Sequence, residues 1–81
     1  MYDLIYSEQF EKTFEKLDKS LKIKVLKQLD KIADNPEIGK PMQYERKDTR
    51  ELYVKPFRIS YSYFKEELII LFIDIYHKDK Q

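Results

Sequence analysis

Apolar positions recur along this chain first at helical spacing and then at strand spacing, and the change falls after a loop near its middle. The N-terminal run Tyr2 to Tyr6 (YDLIY) is short, apolar and rich in β-formers, which predicts a strand. Ser7 then stands where a helix N-cap would, with Glu8 and Glu11 early in the helix, where its dipole favours negative charge. Phe10, Phe14 and Leu17 follow at spacings of four and three, one stripe of a helix ending near Leu17. Glu8–Lys12 and Glu15–Lys19 are i,i+4 pairs in the favourable order. The break Asp18-Lys19-Ser20 predicts a second helix capped by Ser20, with Leu21, Val25, Leu29 and Ile32 as its buried stripe. Lys24, Lys27 and Lys31 fall on the opposite side, and Asn35-Pro36 ends the helix.

The stretch from Pro36 to Thr49 reads as a loop that holds the only glycine, Gly39, with Met42 and Tyr44 expected to tuck back onto the core. From Arg50 to His77 the period is two. Leu52 and Val54 share one face, and Glu51, Tyr53 and Lys55 the other. Past the Lys55-Pro56 turn, Ile59, Tyr61 and Tyr63 alternate with Arg58, Ser60 and Ser62. After Lys65-Glu66-Glu67, Leu68 to Ile75 is nearly all apolar, which predicts a central strand covered on both sides for most of its length. Asp74, Tyr76 and Lys78 share a face at its end. The predicted fold is α+β in the order β-α-α-β-β-β: an N-terminal strand, an antiparallel helical hairpin on one face, and a C-terminal three-stranded antiparallel meander. Residues 1–81 are expected to form a single domain.

Composition narrows the chemistry. There is no cysteine, so neither a disulfide nor a thiolate metal site is expected, and a reducing compartment is compatible. No apolar run is long enough for a bilayer span, and the start, MYDLIYSEQF, lacks the basic leader of a signal peptide. Net charge is only +1, but its distribution is uneven. Residues 1–40 carry eight basic and eight acidic side chains. Arg46, Lys47, Arg50, Lys55 and Arg58 stand against Asp48 and Glu51, a local +3, and this segment holds all three arginines of the chain. Arginine is the cation suited to two-pronged contacts with phosphate or carboxylate.

One glycine cannot make a phosphate-binding glycine loop, and one histidine without cysteine argues against a zinc site. No serine lies in an elbow-like context for Ser-His-Asp catalysis. What remains is a face of arginine, lysine and tyrosine, with His77 as a candidate proton carrier near a strand end. That set suits metal-free RNA cleavage, which needs a base for the ribose 2′-OH, fixed positive charge on the phosphate, and an acid for the leaving oxygen. No cofactor is implied.

The chain resembles the RelE/ParE superfamily of toxins from prokaryotic type II toxin–antitoxin pairs. FEKTFEKLDKSLKIKVLKQLDKIADNPEIGKPM is similar to its helical hairpin and following loop, RELYVKPFRISYSY to its basic strand, turn and aromatic-arginine-apolar-x-tyrosine stretch, and LIILFIDIYHK to its last strand. The resemblance implies a cytoplasmic toxin neutralised by a cognate RelB-like antitoxin, in a hetero-oligomer. RelE-like members cleave mRNA on the ribosome; ParE-like members share the fold and poison DNA gyrase. In the first reading Arg58 matches the arginine that contacts the scissile phosphate, and Lys78 a basic residue that supports the transition state. His77 and Tyr53 would assist proton transfer, while Arg50, Lys55, Arg46, Lys47 and Lys80 would bind substrate. The sequence departs from the nuclease pattern: Glu51 and Tyr53 stand where two outward basic residues are usual, with Arg50 one position off, the tyrosine some members use a few residues beyond the basic pair has no counterpart, and a net charge of +1 is low for a ribosome binder. Those departures keep open the gyrase-directed reading and that of a catalytically weakened antitoxin-binding domain.

Overall fold

A computed structural model of the protein describes residues 1–44 and 47–80. Strand β1 (Asp3–Tyr6) leads through Ser7 into helix α1 (Glu8–Lys16), followed by helix α2 (Lys19–Asp34). A 3-10 turn (Pro36–Ile38) precedes the two-residue strand β2 (Lys40–Pro41), and then come β3 (Arg50–Val54), β4 (Phe57–Phe64) and β5 (Ile69–His77). A last 3-10 turn spans Lys78–Lys80. The strands form one sheet in the order β1-β5-β4-β3-β2. The expected antiparallel meander β3-β4-β5 is present, and β1 adds to it in parallel beside β5. β5 therefore lies inside the sheet, between β1 and β4, but Ile69, Leu71 and Ile73 stay partly exposed on the face without helices, so the expected cover on both sides is not complete.

The helices bury their stripes on one face of the sheet. Phe10 of α1 and Val25, Leu29 and Ile32 of α2 meet Val54, Ile59, Tyr61, Ile70, Phe72 and Ile75 in a single core. Ser7 caps α1 as expected, accepting from the Phe10 amide at 3.0 Å, and its hydroxyl donates to the Ile73 carbonyl at 2.5 Å. The cap of α2 differs from expectation. Asp18, not Ser20, accepts from the Leu21 amide at 2.8 Å. Leu17 and Asp18 are both extended, so the break is complete in two residues and Ser20 is already helical.

The stretch from Pro36 to Thr49 is more ordered than a plain loop. Its first part is tied to the sheet through Tyr61, whose hydroxyl donates to the Pro36 carbonyl at 2.6 Å and accepts from the Gly39 amide at 2.9 Å. Met42 is half-buried, but Tyr44 does not tuck onto the core: it is 88% exposed at φ 60°, a turn conformation that aims its ring outward.

Two register features set up the other face of the sheet. The short β3–β4 turn at Lys55-Pro56 pairs Val54 with Phe57, Tyr53 with Arg58 and Glu51 with Ser60. In β5 the register slips by one residue at Ile73, because Tyr61 pairs with Phe72 while Ser60 pairs with Asp74. Strict alternation from Ile70 and Phe72 would turn Asp74 and Tyr76 into the core. The bulge rotates them onto the face without helices and returns Ile75 to the core.

Candidate functional site

The sheet face without helices carries two rows of side chains across three strands. Tyr53, Arg58 and Tyr76 are register partners in one row, and Glu51, Ser60 and Asp74 in the other. Arg58 and Lys78 flank Tyr53: the guanidinium carbon lies 5.8 Å and the lysine Nζ 5.6 Å from the centre of its ring. Tyr53 is 47% exposed, so this cation–aromatic cluster faces solvent.

Beneath it, Glu51 is buried, with only 4% of its surface exposed. Its Oε1 lies 3.6 Å from Arg58 Nη1, and its Oε2 accepts a hydrogen bond from the Tyr76 hydroxyl. The expected outward residue of β3 is thus covered by its neighbours across the sheet. Glu51 and Arg58 sit diagonally on adjacent strands, within reach of long side chains, and a buried carboxylate requires such partners. Asp74 accepts from the Ile75 amide at 2.8 Å, and burial raises its carboxyl above the usual range. The cluster therefore sets two cations, Arg58 and Lys78, against two carboxylates, Glu51 and Asp74.

Other candidate residues lie apart from this cluster. His77 pairs with Phe57 and alternates onto the helix-covered face, where its ring meets Phe57 edge-on at 5.8 Å and its Nδ1 lies 3.7 Å from Asp79 Oδ2. Arg50 also lies on that side. It donates from Nη1 to the Gly39 carbonyl at 2.8 Å and the Glu37 carbonyl at 3.1 Å, over the Tyr63 ring at 5.7 Å. Tyr63 in turn donates to Glu37 Oε2 at 2.7 Å, so Arg50 helps hold the 37–39 segment in place. Lys55 is exposed in the β3–β4 turn, and its carbonyl accepts from Lys24 Nζ at 3.1 Å, which ties α2 to that turn. Lys47 is exposed in the turn before β3. Arg46 lies outside the described residues, and of Lys80 only the backbone, in the 78–80 turn, is described. Among the described residues no group of three or more His, Asp or Glu could hold a metal ion. No helix of the described residues is long and apolar enough to cross a membrane.

Sequence reasoning placed Arg58, Tyr53 and Lys78 but missed the part taken by Glu51 and Tyr76. The signal was present. A two-residue turn at Lys55-Pro56 fixes the pairing outward to Glu51–Ser60, which leaves Glu51 diagonal to Arg58.

A helical hairpin on one side of this strand order is the fold of RelE/ParE-type toxins. It superposes on the E. coli RelBE toxin–antitoxin complex with a TM-score of 0.80 at 19% identity, over 93% of this chain and 94% of that one. The RelBE2 toxin–antitoxin complex of Mycobacterium tuberculosis gives 0.85 at 18% identity over 95% and 98%, and a YoeB/ParE toxin from Agrobacterium tumefaciens gives 0.83 at 13% identity over 95% and 98%. No curated protein sequence matches the chain. Residues 4–81 match the family described as ParE toxin of the type II toxin–antitoxin system, parDE, and the chain belongs to that family.

Proposed function

We propose that this toxin acts by binding its target rather than by cleaving RNA, and that a cognate antitoxin silences it. The observation that carries this reading is the separation of His77, the one imidazole, from Arg58, which leaves the Tyr53 hydroxyl as the proton-transfer candidate within the cluster. A nuclease must hold a proton acceptor and a proton donor beside its phosphate clamp. Here the only histidine, His77, packs against Phe57 on the far side of the sheet from Arg58, and the Tyr76 hydroxyl is taken up by Glu51. DNA gyrase is the target that the ParE-like resemblance implies, and the family match to residues 4–81 supports that choice. The antitoxin partner is supported by the relatives solved as toxin–antitoxin complexes.

A second reading, a ribosome-dependent mRNA endonuclease, is favoured by Tyr53. An exposed aromatic ring between Arg58 and Lys78 is a stacking platform for an RNA base, flanked by charge for its phosphates. Purified protein, freed from antitoxin, separates the two. Added to a gyrase supercoiling reaction and to ribosomes carrying mRNA, it is expected to block supercoiling and leave the message intact. Cut message with supercoiling untouched would select the endonuclease.

A further inference from the structure

The two edges of the sheet are unlike. On one side β2 has only two residues and ends in Pro41, which has no N–H to offer a further strand. On the other, β1 runs Asp3-Leu4-Ile5-Tyr6 with no strand beyond it among the described residues. The Asp3 amide donates to the Leu68 carbonyl at 2.8 Å and the Ser7 amide to the Phe72 carbonyl at 2.9 Å. A strand in a parallel ladder turns every second residue toward its neighbour. Asp3, Ile5 and Ser7 therefore serve β5, while Leu4 and Tyr6 point their N–H and C=O groups away from it. The side chains of this edge are apolar where a protected edge would be charged: Ile5 is 45% and Tyr6 38% exposed. Ile5 pairs with Leu71 on the face without helices, beside the row of Ile69 and Phe64.

An exposed apolar edge is a template for another strand, and the strand that fits this one is β1 itself. In an antiparallel pair the outward residues bond only when they face each other. Of the registers that allow this, the one that sets Leu4 opposite Tyr6 of the second copy engages the whole strand. Each of the two Leu4–Tyr6 pairs then exchanges two backbone hydrogen bonds. The two-fold axis falls at Ile5, which meets its own counterpart with Cβ atoms about 4.5–5.5 Å apart. Asp3, the one charged residue of the strand, falls opposite Ser7 and not opposite itself. We infer that the free toxin pairs with a second copy of itself through β1, the two sheets joining as one about a two-fold axis at Ile5. So short a seam makes the association weak and dependent on concentration. Arg58 and Tyr53, on β4 and β3, are at least one strand removed from it and stay open in the pair.

The test is amide hydrogen exchange by NMR on the full chain without antitoxin, from micromolar to millimolar concentration, with sedimentation equilibrium on the same samples. The Ile5 amide, bonded to β5, should be protected at the lowest concentration. The Leu4 and Tyr6 amides should exchange freely there and slow at least about tenfold as the dimer fills. Ile5→Lys and Ile5→Glu, checked for folding by circular dichroism, each set like charges face to face at the axis and should sediment as monomers. An equal mixture of the two should pair again, because opposite charges then meet. A chain that stays monomeric throughout would overturn the inference, as would a dimer in which the Leu4 and Tyr6 amides gain no protection. Single variants that pair as well as wild type, or a mixture that stays monomeric, would overturn it too. Protection of those two amides that appears only on adding antitoxin would assign the edge to the antitoxin and refute self-pairing. Should either variant fail to fold, exchange in the wild type decides alone.

Discussion

Gly39→Ala should destabilise the protein although alanine suits the backbone there. Gly39 has φ −75° and ψ 154°, an extended conformation open to any residue. The obstacle is space. A β-carbon on Gly39 would lie 2.6 Å from the Tyr61 hydroxyl, 2.8 Å from its Cε1 and 3.0 Å from its Cζ. Tyr61 cannot withdraw, because its ring is fully buried and packs against Phe72 at 6.1 Å. Overpacking costs about 1–3 kcal/mol, and displacing the Tyr61 hydroxyl from the Pro36 carbonyl and the Gly39 amide adds about 1 kcal/mol for each bond. The sum, about 3–5 kcal/mol, is a large share of the ~4–12 kcal/mol expected of a domain this size. Each kcal/mol lowers Tm by about 4–8 °C, so thermal unfolding by circular dichroism resolves the effect easily. Tyr61→Phe keeps the ring but strips two buried backbone groups of their partner, for about 1–3 kcal/mol. The double variant should be less destabilised than the sum, by about 1 kcal/mol, since the nearest clashing atom is gone. Gly39→Ala within about 0.5 kcal/mol of wild type would show that the 36–39 segment is not docked on Tyr61, and the reasoning would fail.

The remaining expectations are simpler. Burial raises the Asp74 carboxyl above its unfolded value of 3.8, so the charged form costs the folded state stability at neutral pH, and that cost disappears as pH falls through the folded pKa toward the unfolded one. Asp74→Asn should therefore be more stable than wild type at pH 7 and lose that advantage near pH 4, as read by urea unfolding; an advantage independent of pH would contradict the assignment. Asp18→Ala should cost about 1 kcal/mol by removing the cap of α2 while Ser20→Ala changes almost nothing, and the reverse order would restore Ser20 as the cap. His77→Ala should leave toxicity intact, because the ring lies on the helix-covered face; a non-toxic but folded variant would bring back His77 as a proton carrier.

Much of the fold was legible because it follows from periodicity. The stripes Phe10-Phe14 and Val25-Leu29-Ile32, the alternation of Ile59 and Tyr61 with Arg58 and Ser60, and the unbroken apolar run before Asp74 each specify an element and a buried side. Less legible were features decided by contacts distant in sequence. The parallel pairing of β1 with β5 leaves no local mark. The bulge at Ile73 is fixed partly by Ser7, 66 residues earlier, which donates to its carbonyl. The face of Arg58 was readable from alternation, but not what it meets there. Glu51 reads as an outward residue of a half-exposed strand, and its burial exists only once Arg58 and Tyr76 close over it. His77 shows the converse: beside Lys78 in sequence it looks like part of the cluster, yet alternation sends adjacent residues to opposite faces.

The central claim is that this toxin binds rather than cuts. It is tested most directly by expressing the wild type and Arg58→Ala in cells without antitoxin, then mapping the 5′ ends of all messages. The account predicts growth arrest by the wild type with no new ends inside coding regions. New ends within codons that appear with the wild type and vanish with Arg58→Ala would contradict it and establish a ribosome-linked nuclease centred on Arg58.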